Sequence, residues 1–182
     1  MDWSRLPEPE DDGAAAHLQG MALPSVTLLA TTGEQVNLAN LLGRAVLYIY
    51  PMTGTPGVAL PDGWDSIPGA RGCTPQSCAF RDHFKDLQDL GVDHLFGVSA
   101  QSSDEQNAAA LRLHLPFALL SDSELRLASC MRLPTFQVEG RTLLKRITLV
   151  AEAGTIVRVF YPVFPPDQSA SNVLAWLTSK RG

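Results

Sequence analysis

Cysteine is scarce in this 182-residue chain, with only Cys73, Cys78 and Cys130 present. An odd total of three excludes a disulfide scaffold and a four-ligand zinc cluster. The absence of a Cys-x-x-Cys pair argues against ordinary disulfide-oxidoreductase chemistry. Positive charge is also short. The chain has 14 Lys and Arg against 19 Asp and Glu, a net charge of -5, which argues against binding a nucleic-acid backbone or an anionic membrane surface. No apolar run approaches the roughly 18 residues that a membrane helix needs. The acidic N-terminus (Asp2, Glu8, Glu10, Asp11 and Asp12 against Arg5) lacks the layout of a signal peptide. The expected location is therefore cytoplasmic, where thiols stay reduced and cysteines tend to be reagents. There is no phosphate loop and no dinucleotide fingerprint, and the four histidines have no partner at metal spacing, so neither cofactor nor metal is expected.

What is present reads as one domain. Residues 1–20 are polar and alanine-rich and read as a flexible acidic tail; residues 21–182 read as the domain, with no repeat and no linker. Strands are expected over 25–30, 45–50, 92–99, 116–120, 142–150 and 155–160. Helices are expected over 75–90, 103–113, 123–131 and 169–180, with a single helical turn over 38–42. The run Ala45 to Tyr50 is apolar without alternation, the mark of a strand covered on both faces. Strands alternating with helices, then a hairpin and a last helix, specify an α/β fold with a central mixed sheet flanked by helices.

Two cysteines sit where chemistry is plausible. Cys73 immediately precedes Thr74-Pro75, a well-marked helix start, since proline is favoured at the first helical position. A sulfur there faces free backbone N–H groups and the positive end of the helix dipole, both of which favour negative charge on it. At 100° per residue, Cys73 lies in phase with Phe80 on the inward face. Cys78 falls on the polar face with Lys85 and Asp89, where a core-filling role explains it poorly. In an unbroken helix the two Cα atoms would be roughly 8.6 Å apart, beyond the ~7 Å that a disulfide can span. Pairing them thus requires the first turn or more to unwind. Cys130, in the expected 123–131 helix, reads as a packed thiol, with a resolving role as the alternative.

The stretch Gly72-Cys73-Thr74-Pro75-Gln76-Ser77-Cys78-Ala79-Phe80-Arg81-Asp82 resembles the peroxidatic segment of peroxiredoxins of the peroxiredoxin Q (bacterioferritin comigratory protein) type. The likeness extends over residues 21–180. It includes Gly33 to Pro51, Phe96-Gly97-Val98-Ser99 and Leu119-Leu120-Ser121-Asp122. It implies a thioredoxin-like fold and a thiol peroxidase acting on hydrogen peroxide or organic hydroperoxides. Cys73 would be peroxidatic and Cys78 resolving, with recycling by a thioredoxin- or glutaredoxin-like reductant, in a monomer or homodimer. By the same resemblance, Arg146, in Arg146-Ile147-Thr148-Leu149-Val150, matches the family's catalytic arginine. Thr55, in Pro51-Met52-Thr53-Gly54-Thr55, matches its hydroxyl donor.

The chain departs from the family pattern in one place. The pattern has Cys three residues after the Thr, whereas here residues 58–72 (VALPDGWDSIPGARG) intervene. Ser66 and Thr74 are the other candidate hydroxyls, and Ala70, three before Cys73, supplies none. The inserted stretch reads either as an inert surface loop or as a lid over the site. Two other functions stay open at the level of sequence: a one-cysteine peroxidase served by an external thiol, and a non-catalytic redox-sensing or interaction module.

Overall fold

The computed structural model describes residues 2–180. Nine strands and five helices run in the order β1 (Thr27–Ala30), β2 (Gln35–Asn37), β3 (Arg44–Ile49), α1 (Cys73–Asp82), α2 (Phe84–Asp89), β4 (His94–Ser99), α3 (Ser103–Leu113), β5 (Leu119–Ser121), α4 (Arg126–Met131), β6 (Thr135–Val138), β7 (Arg141–Leu144), β8 (Ile147–Glu152), β9 (Thr155–Phe160) and α5 (Ser169–Ser179). Seven strands form one sheet in the order β2-β1-β5-β4-β3-β8-β9, and β6 and β7 form a separate hairpin. At the centre β3 pairs parallel with β4 and antiparallel with β8, so the sheet is mixed.

The unbroken apolar run of β3 serves two cores. Ala45, Leu47 and Ile49 point to one face, where they meet Leu38, Leu127 and Met131. Val46, Tyr48 and Tyr50 point to the other, where they meet Cys73, Phe80, Leu87, Val173 and Leu177 from α1, α2 and α5. Successive side chains of a strand alternate faces, so a strand covered on both sides must be apolar throughout. The ring of Phe80 stacks on Tyr48 at 4.4 Å between centroids, and the Tyr48 hydroxyl donates to Ser77 Oγ at 3.2 Å. These contacts lock α1 onto the central strand. On the other side of the Tyr48 ring, a Cβ at Gly97 would lie 2.6 Å from ring carbon Cζ, so only glycine lets β4 pass this close.

Several elements differ from expectation for physical reasons, and α1 begins at Cys73 itself rather than at residue 75. The apolar period from Phe80 to Leu90 runs through a break at His83, where the backbone leaves helical geometry (φ -100°, ψ 10°) and α2 begins afresh. The expected strand 142–150 is two strands, β7 and β8, which leave Lys145 and Arg146 at the junction. Strands β2 and β6 are short and partly exposed, and lack the apolar signal that marks buried strands.

Residues 2–20, set apart above as a flexible tail, lie against the domain; Met1 falls outside the described residues. Leu18 is fully buried in the core shared with β3, a contribution of about 2 kcal/mol for one side chain. Trp3 Nε1 donates to the Asp167 carboxylate at 2.8 Å, and its ring meets Phe164 edge-on. Asp12 accepts from Lys145 Nζ at 2.7 Å and from the Tyr161 hydroxyl at 2.8 Å. The lysine contact, more than any other, holds the Asp12 carboxyl well below the usual carboxylate range. The acidity of the segment thus has local partners that composition alone does not reveal.

Candidate active site

The inserted stretch does not hang free. It folds back through a 3-10 turn at Trp64–Ser66 and buries Trp64 against Met52, Ala70 and the β6–β7 hairpin residues Val138 and Leu143. Trp64 and Phe136 hold their rings 6.1 Å apart. This third apolar cluster carries the chain to Gly72, the residue that caps α1 with a left-handed backbone (φ +107°) and no side-chain cap bond. The first-turn N–H groups of α1 therefore face the site without a competing side chain.

Gly72 is also sterically required. A Cβ there would sit 2.6 Å from Pro166 Cγ and 2.9 Å from Trp3 Cη2, both outside normal contact. Gly72→Ala should destabilise the fold by about 2 kcal/mol or more, because backbone strain and overlap add. Urea unfolding of the two proteins checks this, and equal midpoints would remove the steric argument.

Cys73 opens α1 and is buried, 3% exposed. Its thiol reaches the Ala70 carbonyl at 3.6 Å. Arg146, itself 4% exposed at the β7–β8 junction, donates from Nη2 to Cys73 Sγ at 3.2 Å. The same Nη2 donates to the carbonyls of Gly69, Ala70 and Arg71, each at 3.2 Å. Its Nη1 donates to Gln76 Oε1. Gln76 is fully buried and passes the chain on. Its Nε2 donates to Ser169 Oγ at 3.2 Å, and Ser169 and Thr148 share a hydroxyl hydrogen bond at 3.0 Å. A buried polar chain thus runs from β8 and α5 through Gln76 to the guanidinium and the sulfur. Arg146 Nε has no hydrogen-bond partner among the described residues, which leaves one buried donor open.

Sequence reasoning missed Gln76, Thr148 and Ser169. Gln76 and Thr148 lie within three residues of Cys73 and Arg146, the two residues singled out, and Ser169 carries no such signal.

The two cysteines of α1 differ as their helical phase requires: Cys73 is buried and Cys78 half-buried, and both are free thiols. Arg81 lies beside Cys78, and its guanidinium is pushed above its ordinary value first by the Asp82 carboxylate, with Cys78 adding to the effect. Cys130, expected to pack, is instead exposed. Helix α4 begins at Arg126 rather than 123, after Leu125 in a left-handed conformation at the capping position, and Asp122 serves its first turn from outside the helix. Its carboxylate accepts from the N–H groups of Leu127 and Ala128, each at 2.9 Å. The inward positions are then Leu127, Ala128 and Met131.

Thr55 is not brought to the sulfur. It lies exposed in a turn where its carbonyl accepts from Val58 N–H at 3.1 Å. The preceding loop is tied elsewhere: Thr53 N–H donates to Gln101 Oε1 at 2.8 Å, and Arg112 donates to the Gly54 carbonyl at 3.0 Å. Ser66 is exposed as well. Of the three candidate hydroxyl residues, only Thr74 lines the cavity of about 170 Å³ at Cys73. A second cavity, about 460 Å³, is lined in part by Pro9, Ile67, Gly69, Phe136, Tyr161 and Arg146.

A buried free thiol at the start of a helix, faced by a buried guanidinium beside a mixed sheet, is the arrangement of a thiol-based redox protein. In agreement, the family model described as Redoxin matches residues 18–176. Peroxiredoxin Q of Sedum lineare, a chloroplastic protein, is 31% identical over 163 residues, 88% of this chain and 78% of its own. The corresponding Populus jackii protein is also 31% identical, over 88% and 68% of the two chains. Among solved structures, peroxidoxin BcpB from Mycobacterium tuberculosis superposes with a TM-score of 0.72 at 26% identity, covering 90% of this chain and 98% of that one. Xanthomonas campestris peroxiredoxin Q shares the fold with a TM-score of 0.69 at 22% identity, over 89% and 98%. The chain belongs to the peroxiredoxins, in the peroxiredoxin Q/bacterioferritin comigratory protein type. It is accordingly a thiol peroxidase, an oxidoreductase acting on peroxides. Among the described residues no helix is long and apolar enough to cross a membrane.

Proposed function

We propose that Cys73 is the attacking residue and Cys78 its resolving partner, in a cycle closed by a dithiol reductant of the thioredoxin type. The Cys73 sulfur, negatively charged, bonds to one peroxide oxygen. The O–O bond breaks, and its electron pair leaves on the other oxygen, which takes up a proton as water or an alcohol. Cys73 is then a sulfenic acid. The Cys78 thiol attacks that sulfur, water leaves, and a Cys73–Cys78 disulfide results. The reductant's two thiols return two electrons and two protons by exchange. The observation that carries this reading is the contact of Arg146 Nη2 with Cys73 Sγ at 3.2 Å. It places positive charge where charge develops on both sulfur and leaving oxygen. Thr74, which lines the cavity at Cys73, is the candidate hydroxyl in place of Thr55. A reducing, cytoplasmic setting suits three free thiols.

Because the two cysteines stand five positions apart in one continuous helix, resolution must unwind the start of α1. Peptide mass mapping after one equivalent of peroxide should find Cys73 joined to Cys78, and circular dichroism should show less helix than in the reduced protein. A stable Cys73 sulfenic acid with no internal disulfide would establish the one-cysteine scheme instead. Oxidation confined to Cys130 would remove Cys73 from the reaction.

A further inference from the structure

The cavity at Cys73 is lined by both polar and apolar groups, and much of the apolar lining comes from the inserted stretch. Leu60 and Trp64 both come from residues 58–72, and with Met52, Ala70 and Pro75 they form hydrophobic wall beside the thiol. Trp64 is 4% exposed and fixed by Phe136 and Val138 behind it. Leu60 is half-buried and folds back over Gly54, where a Cβ would stand 3.3 Å from Leu60 Cδ2. Hydrogen peroxide has no use for such a wall. A small polar substrate gains nothing from apolar surface, and apolar surface kept beside water is costly.

We propose that Leu60 and Trp64 are specificity-determining residues that seat the organic group of a compact, branched or aromatic hydroperoxide, with its O–O bond held at Cys73. The inference rests on the assignment of Cys73 as the attacking residue. The reaction is the one given above, with the alkoxide as leaving group: sulfur takes the terminal oxygen, the O–O pair leaves with the carbon-bound oxygen, and that oxygen is protonated to the alcohol. Size supports a compact group. At about 170 Å³ the cavity is well below the ~300 Å³ at which sites for drug-sized ligands begin. The larger cavity, of about 460 Å³, shares no lining residue with it: Gly69 lines the larger one, and Ala70 and Arg71 line the smaller.

The test compares cumene hydroperoxide with hydrogen peroxide on the full chain. Leu60→Trp fills space at the apolar lining. It should lower the ratio of kcat/KM for cumene hydroperoxide over that for hydrogen peroxide by about tenfold or more, the scale on which hydrophobic pockets discriminate. Trp64→Ala should lower the same ratio by removing the wall. Because that variant could loosen the third cluster, the ratio for Leu60→Trp decides. As a second readout, cumyl alcohol, the product, should inhibit hydrogen peroxide turnover competitively in the parent chain and weakly in Leu60→Trp. An unchanged ratio with unchanged inhibition overturns the inference and leaves the peroxidase reading intact. A parent chain inert towards both peroxides with Cys73 unmodified overturns the Cys73 assignment beneath it.

Discussion

Replacing Cys73 with serine should reduce peroxide consumption by at least about three orders of magnitude while leaving the fold in place. The substitution is nearly isosteric at a residue only 3% exposed, so packing against Tyr48 and Phe80 is largely kept. What is lost is chemistry. A serine hydroxyl is a poor nucleophile towards peroxide oxygen and has no counterpart of the sulfenic acid that stores the two-electron oxidation. The three free thiols make the variant diagnostic, because each stands in a different setting: buried at a helix start, half-buried on the same helix, and exposed on α4. Cys73→Ser should yield no internal disulfide after peroxide treatment. Cys78→Ser should still be oxidised at Cys73 but fail to recycle with a thioredoxin. Peroxide turnover retained in Cys73→Ser would transfer the reaction to Cys78 or Cys130 and remove the helix-start geometry from the mechanism.

The parts of this site that were legible in the sequence are those encoded by local rules. Thr74-Pro75 marks a helix start, so the place of Cys73 at that start follows from residues 73–75 alone. Helical phase gives the inward aim of Cys73 and the less buried position of Cys78, since Phe80 anchors the phase. The two-faced burial of β3 follows from an apolar run without alternation.

The illegible parts depend on contacts distant in sequence. Gln76, Ser169 and Thr148 are polar residues with no pattern of their own, and they become a network only when α1, α5 and β8 meet. The splitting of 142–150 at Arg146 and the docking of Trp3 against Asp167 have the same origin. Thr55 shows the converse. Its local match to the family pattern says nothing of where residues 58–72 carry the chain before Cys73, and the residue lies exposed.

Arg146→Gln should lower kcat/KM for peroxide by about a hundredfold or more, the typical cost of losing one preorganised donor to a charged transition state. Two losses combine here. The positive charge 3.2 Å from Cys73 Sγ disappears, and so does a donor that fixes the carbonyls of residues 69–71, the approach to the helix start. Arg146→Lys restores the charge without the planar fork. An ammonium cannot serve Gln76, three carbonyls and the sulfur from one plane, so the lysine variant should recover only part of the rate. Gln76→Leu isolates the positioning component. It leaves the guanidinium charged but removes the acceptor on Nη1 and breaks the link to Ser169, so its loss should be smaller than that of Arg146→Gln. Alkylation of Cys73 by iodoacetamide at neutral pH supplies a readout that a purely structural role would not move. It should slow in the order Gln76→Leu, Arg146→Lys, Arg146→Gln, in step with peroxide turnover. If the alkylation rate stays constant across the series while turnover falls, Arg146 acts on the peroxide alone. If both stay constant in folded variants, the guanidinium has no part in the reaction and its contact with the sulfur is packing.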